Sequence, residues 1–485
     1  MYVGIDLGTS SVKLILTDKL GHIHRTVNKK YDVLMKKASW SEQNPNDWYR
    51  QTLIGLKELI SGLEDSISGI SFSGQMHGLT LLDKDDNLIR NAILWNDQRT
   101  VAEVDFINQE FGIDNAMKET GNIALTGLTL PKLLWVKTNE PDNFKKIKKV
   151  LLPKDYLVYK LTNRFVSDVS DTSGTLYYDV KNRQYSQKML NLVGLDQSCF
   201  PEVHESYEVI GYLSDEAKAY LKLSHNVSVI AGGGDQAVGA VGLGIVNNND
   251  ANISLGTSGV VFVSTDQFTP DYKSHLQSYA HANGQYHVMA VMLSAAGSME
   301  WFNSKIIGNE NYDSLFESLE KVDPSQELYF LPYLMGERSP INDPLAKGVF
   351  FGLSMMHNKY DMARSVIEGV TFALKDSFTL FKSLGMNIQS VKITGGGAKS
   401  KFWCQLIADV MNVEVHTTAI DEGPAFGAAI LAMVGCGAYK DVQTACKAIV
   451  KTNMDFYPNP ELIKVYEQKY QRFINIYPAV KNLFV

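Results

Sequence analysis

Apolar and polar positions fall into short blocks at the amino terminus. Residues 2–5 form one apolar run, residues 12–16 a second rich in β-branched side chains, and residues 22–27 a third. The turn-forming Asp18-Lys19-Leu20-Gly21 separates the last two, so the pattern predicts three consecutive strands joined by tight turns. A dinucleotide-binding βαβ unit would place a helix directly after its first glycine turn, which argues against that reading. Beyond Pro45 the period changes. Tyr49, Leu53, Leu56 and Ile60 share one helical face, with Asn46 or Asp47 available as the cap. Strand patterns return at residues 67–72, leading into Gly74-Gln75-Met76-His77-Gly78, and at residues 227–231, ending in Gly232-Gly233-Gly234-Asp235.

The second half repeats this grammar. Ile5-Asp6-Leu7-Gly8-Thr9-Ser10 is matched by Ile253-Ser254-Leu255-Gly256-Thr257-Ser258, 248 residues later in a chain of 485. The second copy joins strand patterns at residues 252–255 and 260–264. Helical periods follow at 298–306 and 362–384. A strand at 391–394 runs into Gly395-Gly396-Gly397-Ala398-Lys399-Ser400, a helix is predicted over 402–411, and Glu422-Gly423-Pro424 opens another helix rich in small residues. The length exceeds the ~250–300 residues that one core usually supports. Two similar domains are therefore predicted, residues 1–243 and 244–485. No Gly/Ser-rich or Pro-rich linker marks the boundary, so they should pack closely and hinge.

Bulk composition excludes more than it names. Hydrophobic residues make up 45% and charged residues 20%, an ordinary globular balance. The net charge of −7 and the lack of a long basic run disfavour a nucleic-acid partner. Four cysteines (Cys199, Cys404, Cys436, Cys446) form no CxxC or zinc-ligand spacing and suit a reducing, cytoplasmic setting. The amino terminus has no basic n-region, so no signal peptide is expected. The longest small-apolar stretch, residues 428–438, is too short to span a bilayer, and no membrane partner is expected.

Chemistry enters through the glycine turns. Gly8, Thr9 and Ser10 can point backbone donors into one concavity, as can Gly256, Thr257 and Ser258, which suits phosphate oxygens. Only the first copy carries a carboxylate, Asp6, at its strand end, where it can hold hydrated Mg²⁺. Lys13 follows on the next strand and can meet a phosphate as a point charge. A plain hairpin explains one such turn, but not both. Gly232-Gly233-Gly234 leaves room for a ligand beside Asp235, which can accept a proton from an attacking hydroxyl or simply cap a helix. Gln236 can orient the same hydroxyl. Gln75, Met76 and His77 between glycines form a loop suited to a polyol. Trp95, in Leu94-Trp95-Asn96-Asp97-Gln98-Arg99, suits a sugar face or a core anchor. Gly395, Gly396, Gly397 and Ser400 let an adenosine lie against the backbone. No GxxxxGK[ST] run exists, which excludes a P-loop enzyme.

Taken together, these residues resemble the FGGY carbohydrate kinases, a branch of the actin-type ATPase superfamily. The resemblance extends over nearly the whole chain and includes Thr129-Leu130-Pro131-Lys132-Leu133-Leu134-Trp135 and Gly336-Glu337-Arg338-Ser339-Pro340. It implies an α/β protein of two RNase H-like (actin-type ATPase) domains with a central cleft, using ATP and Mg²⁺. It makes Asp235 the general base, Met76 and His77 the sugar-contacting pair, and Asp6, Thr9 and Lys13 neighbours of phosphate and metal. Thr257 would serve the second phosphate loop, and Gly396 and Ser400 the adenosine. The Met76-His77 and Trp95 motifs are most similar to members acting on xylulose, so phosphorylation of D-xylulose at its terminal hydroxyl is expected. Sister activities on gluconate, ribulose or another polyol are the runners-up. A non-catalytic actin-like or sugar-sensing protein is the alternative from another class. A homodimer follows only by family analogy. Residues 295–300 depart from the family's usual glycine-led nucleotide loop.

Overall fold

The computed structural model describes residues 1–273, 276–419 and 423–484. The first half opens with the expected meander: β1 (Tyr2–Leu7), β2 (Ser11–Thr17) and β3 (Ile23–Lys30), antiparallel throughout. α1 (Pro45–Ile60) lies against β2 and β3. Its cap is Asn44, not Asn46 or Asp47, because Pro45 takes the first helical position, where a missing N–H costs nothing. Its buried stripe is Trp48, Thr52, Leu56, Leu59 and Ile60: the expected face holds at Leu56 and Ile60 and is replaced in the first two turns by Trp48 and Thr52. Trp48 decides this: its indole is fully buried and donates to Gln43 Oε1 at 3.0 Å, whereas Tyr49 and Leu53 stay half-buried.

β4 (Gly69–Gly74) pairs parallel to β1. The chain then builds a separate layer around Leu130, Leu133 and Val150 before the short helix α2 (Val169–Ser173). β5 (Val209–Tyr212), β6 (Ser228–Ile230), the two-residue β7 (Gly233–Gly234) and α3 (Asp235–Gly242) complete this half. The sheet order is β5-β6-β4-β1-β2-β3, with β7 also on β4. β1, β4 and β7 run parallel, with Asp6 opposite Ser73 and Ser73 opposite Gly233. Their carboxyl ends therefore open on one edge, the usual place for a ligand beside parallel strands.

The second half holds β8 (Ala251–Leu255), β9 (Gly259–Thr265), β10 (Gln277–Ala280), β11 (Tyr286–Met292), α4 (Ala296–Phe302), α5 (Lys359–Ser383), β12 (Ser390–Thr394), α6 (Lys401–Met411), β13 (Glu414–Thr418), α7 (Gly423–Gly435) and β14 (Thr452–Phe456). The sheet order is β10-β11-β9-β8-β12-β13-β14. β8 is antiparallel to β9 and parallel to β12, as β1 is to β2 and β4. The repeat in sequence is thus a repeat in space, and Ser254 opposite Thr394 matches Asp6 opposite Ser73. This is the expected α/β architecture of two RNase H-like domains of the actin type.

α7 belongs to the second half of the chain but lies on β1 and β4 of the first sheet and crosses α3. Ile15, Ile230, Val238, Phe426 and Ile430 form a core between the halves. A Cβ on Gly427 would stand 1.8 Å from the Val238 carbonyl oxygen, so only glycine permits this crossing. Glu422, expected to open that helix, lies outside the described residues.

Candidate active site between the two halves

Three strand ends meet at the edge shared by β1, β4 and β7. After β1 the chain turns through Gly8, whose N–H donates to the Ser11 carbonyl at 3.0 Å. Two anchors fix this turn: the half-buried Tyr31 Oη donates to the Gly8 carbonyl at 2.5 Å, and the buried Gln43 Nε2 to the Thr9 carbonyl at 2.6 Å. Gln75 is buried with Gln43 and donates from Nε2 to Gln43 Oε1 at 3.0 Å. It therefore stands behind the loop that carries Met76 and His77 and does not reach the cavity in front of it.

That first cavity holds about 180 Å³ and is walled by Met76, His77, Trp95, Asp235, Gln236 and Arg338. Trp95 is 45% exposed, which removes the core-anchor reading; its Nε1 donates to Thr9 Oγ1 at 2.9 Å. His77 has φ of 66° and places Nδ1 2.8 Å from the Gly174 carbonyl oxygen, so Nδ1 carries the proton. Burial first, then the nearby Lys132 charge, holds its pKa at about 3, and the ring is neutral. The loop closes tightly on glycines. A Cβ on Gly174 would stand 2.6 Å from His77 Cε1, and one on Gly234 2.8 Å from Met76 Cγ.

Asp235 is the first residue of α3. Burial raises its pKa, and the negative charge of Asp6 raises it further, to about 7; hydrogen bonds from Gln236 oppose the shift. Asp235 and Gln236 also wall a second cavity of about 410 Å³, together with Ser254, Gly395, Gly396 and Lys399. Gly396 and Lys399 in turn border a third cavity of about 630 Å³, lined by Gly256, Thr257, Gly397, Ser400 and Trp403 among others. The first and second spaces share the walls Asp235 and Gln236, and the second and third share Gly396 and Lys399. Asp235 stands where the first meets the second, and Gly396 where the second meets the third.

Other expected residues fall as follows. Gly8, Thr9, Ser10 and Lys13 sit on the β1–β2 hairpin, outside the walls of these three cavities, with Lys13 opposite Asp6 in register. Gly256 and Thr257 reach the third cavity, but Ser258 faces the first. Residues 295–300 are tied to the second Gly-Thr-Ser turn: Ala295 N donates to the Thr257 carbonyl and Ala296 N to the Gly256 carbonyl, both at 2.9 Å. Ala296, Gly297, Met299 and Glu300 thereby line the third cavity.

Sequence reasoning missed Arg338 and Lys399 as wall residues. Arg338 is the more consequential, because it brings a guanidinium to a cavity where the His77 ring is neutral. Its backbone is fixed by Glu337, whose Oε1 accepts from Arg338 N at 2.7 Å and Leu293 N at 2.8 Å. Its motif, Gly336-Glu337-Arg338-Ser339-Pro340, was visible in sequence; its distance in chain from Met76 hid its place.

A cleft of this kind, with a carboxylate at the junction of a small polar cavity and a larger glycine-walled one, is suited to transfer between two bound molecules. The chain belongs to the FGGY family of carbohydrate kinases: the N-terminal domain of that family matches residues 1–242 and the C-terminal domain residues 251–436. It is accordingly an ATP-dependent sugar kinase. Among curated relatives, the xylulose kinase of Escherichia coli (strain K12) is 41% identical over 100% of both chains. Among solved structures, a xyloylose kinase from Brucella ovis superposes with a TM-score of 0.95 at 37% identity, covering 99% of each chain. A gluconate kinase from Lactobacillus acidophilus superposes with a TM-score of 0.94 at 26% identity, covering 99% of this chain and 97% of its own.

Among the described residues no helix is long and apolar enough to cross a membrane. The four cysteines are free thiols.

Proposed function

We propose that this chain phosphorylates D-xylulose at its terminal hydroxyl, giving D-xylulose 5-phosphate and ADP. The observation that carries the reading is the double placement of Asp235, in the wall of the 180 Å³ cavity and of the 410 Å³ cavity beyond it. The first has the size and polarity for a five-carbon sugar. The second and third together suit a triphosphate and a nucleoside. The xylulose kinase relative supports this choice of sugar.

In this reading Met76, His77, Trp95 and Gln236 hold the sugar. The neutral His77 offers Nε2 as an acceptor to a hydroxyl. Asp235 removes the acceptor proton as the oxygen forms its bond to the γ-phosphorus and the bond to the ADP oxygen breaks. Transfer of this kind needs positioning and charge stabilisation more than covalent help from the protein. The glycines at 395–397 and the Gly256-Thr257 turn present backbone to phosphate and adenosine, and Lys399 supplies a cation between them.

Asp6 offers hard oxygen donors at the carboxyl end of β1, two strands from Asp235, which fits Mg²⁺, an ion that keeps several waters and takes one or two carboxylates. The ion would arrive with the nucleotide phosphates and supply charge neutralisation there.

Arg338 gives a second reading a specific foothold, because a guanidinium in the first cavity can pair with the carboxylate of an aldonate such as gluconate. A panel of D-xylulose, ribulose, glycerol and gluconate, assayed by ADP release, tests both. The proposal expects the highest kcat/KM on D-xylulose; a higher value on gluconate would replace it with the second reading.

A further inference from the structure

α2, residues Val169–Ser173, is buried along its whole length and borders the site from below. Ser170 Oγ accepts a hydrogen bond from the Gly234 N–H at 3.1 Å and donates to Asp168 Oδ2 at 2.6 Å. Gly234 immediately precedes Asp235. β7 consists of Gly233 and Gly234 alone, so it has no side chains with which to fix itself by packing. Glycine is also what admits the serine, since a Cβ on Gly233 would stand 2.5 Å from Ser170 Oγ.

The footing of Ser170 is unusually polar for an interior. Asp168 Oδ2 also accepts from Ser206 Oγ at 2.7 Å and from Ser170 N at 2.8 Å. Its Oδ1 lies 3.1 Å from Lys154 Nζ, and Lys154 makes a second ion pair with Asp155 at 2.9 Å. Lys154, Asp155 and Asp168 are essentially without solvent exposure. Burying such charges costs several kcal/mol per ion, and a packed apolar cluster would often serve stability as well or better. What the ionic group supplies that an apolar one cannot is a directed oxygen beneath β7. The same helix ends at Gly174, whose carbonyl accepts from the His77 ring, so one short element touches both the His77 ring and the residue that precedes Asp235.

We infer that Ser170 is a positioning residue for phosphoryl transfer: it pins the Gly234 amide and so aims the Asp235 side chain, with the Lys154–Asp168 pair as its base. This rests on Asp235 acting as the proton acceptor. A small misplacement of a reacting group can cost on the order of 10²-fold in rate without weakening binding. The test is steady-state sugar-dependent ADP release by Ser170→Ala, Asp235→Asn and the double variant. Ser170→Ala should lower kcat about tenfold or more while KM for D-xylulose and ATP moves less than about threefold. In the Asp235→Asn background the same change should cost less than about twofold, because the residue acts through a carboxylate already removed. Ser206→Ala, one bond further out, should show the same pattern at about two- to fivefold and serves if Ser170→Ala does not fold. An unchanged kcat in the folded variants would overturn the inference. So would an equal factor in both backgrounds, which is the signature of a merely structural role. Near-native turnover by Asp235→Asn alone would instead overturn the base assignment beneath it.

Discussion

Asp6 and Asp235 stand at the ends of parallel strands separated by β4, close enough that the charge of one adds to burial in raising the carboxyl of the other to about 7. Two carboxylates sharing one edge cannot both ionise cheaply. This pairing sets how the site responds to pH and lowers the stability of the chain where both groups are ionised.

The sign of the pH effect follows from the direction of the shift. A proton acceptor must be ionised, so kcat/KM for the sugar is expected to fall about tenfold per pH unit below pH about 7. Stability runs the other way. A carboxyl whose folded pKa lies above its ordinary value penalises the fold at high pH, and the penalty fades as pH falls from about 7 toward 3.8. Asp235→Asn is therefore expected to raise Tm at pH 8 by about 1–4 °C, and by less at pH 5.5, while turnover is lost. Calorimetry at the two pH values checks this, and an equal gain at both would argue against the assigned shift.

Trp95 joins the first cavity to the first glycine turn through its bond to Thr9 Oγ1. Trp95→Phe keeps a ring in the cavity wall and removes the donor. Its expected cost is about two- to tenfold in kcat/KM for D-xylulose, in line with one lost hydrogen bond of ~0.5–1.5 kcal/mol. Trp95→Ala should cost more, since the ring itself is gone. Kinetics that leave Trp95→Ala indistinguishable from the parent would separate Trp95 from the sugar.

Gly174→Ala places a methyl group where His77 Cε1 and Nδ1 now lie, at 2.6 and 2.7 Å. The imidazole must move. KM for the sugar is expected to rise by about tenfold, with nucleotide affinity unchanged, because the third cavity is remote from α2. Paired titrations with sugar and with ATP distinguish this from general damage, which would weaken both.

Arg338→Met removes the cation from the first cavity and keeps much of the stem. Activity on D-xylulose is expected to fall by about tenfold, and any activity on gluconate by about a hundredfold or more, since a charge-assisted bond is roughly twice as strong as a neutral one. Equal losses on both sugars would mean that Arg338 shapes the wall without reading charge.

Much of this was legible in the chain. The strand meander, the duplicated Leu-Gly-Thr-Ser turn and the glycine runs before Asp235 and Ser400 are local patterns, and local patterns survive in sequence. What failed to show depends on which remote segments meet. Gln75 reads like its neighbours Met76 and His77, yet it turns inward because Gln43, distant in sequence, waits there with an acceptor. Ser258 belongs to a phosphate-type turn by composition, but it faces the first cavity because that turn reaches across the cleft. α2 carries no long period, being five residues, so nothing marked Ser170 until Gly234 was seen above it.

The most direct test of the account is sugar-dependent ADP release by Asp235→Ala, with ATP affinity measured alongside by calorimetry. Loss of turnover by ~10²–10⁴-fold or more, with ATP bound as in the parent, is the expected result. Turnover within a small factor of the parent would contradict it and remove Asp235 from the chemistry.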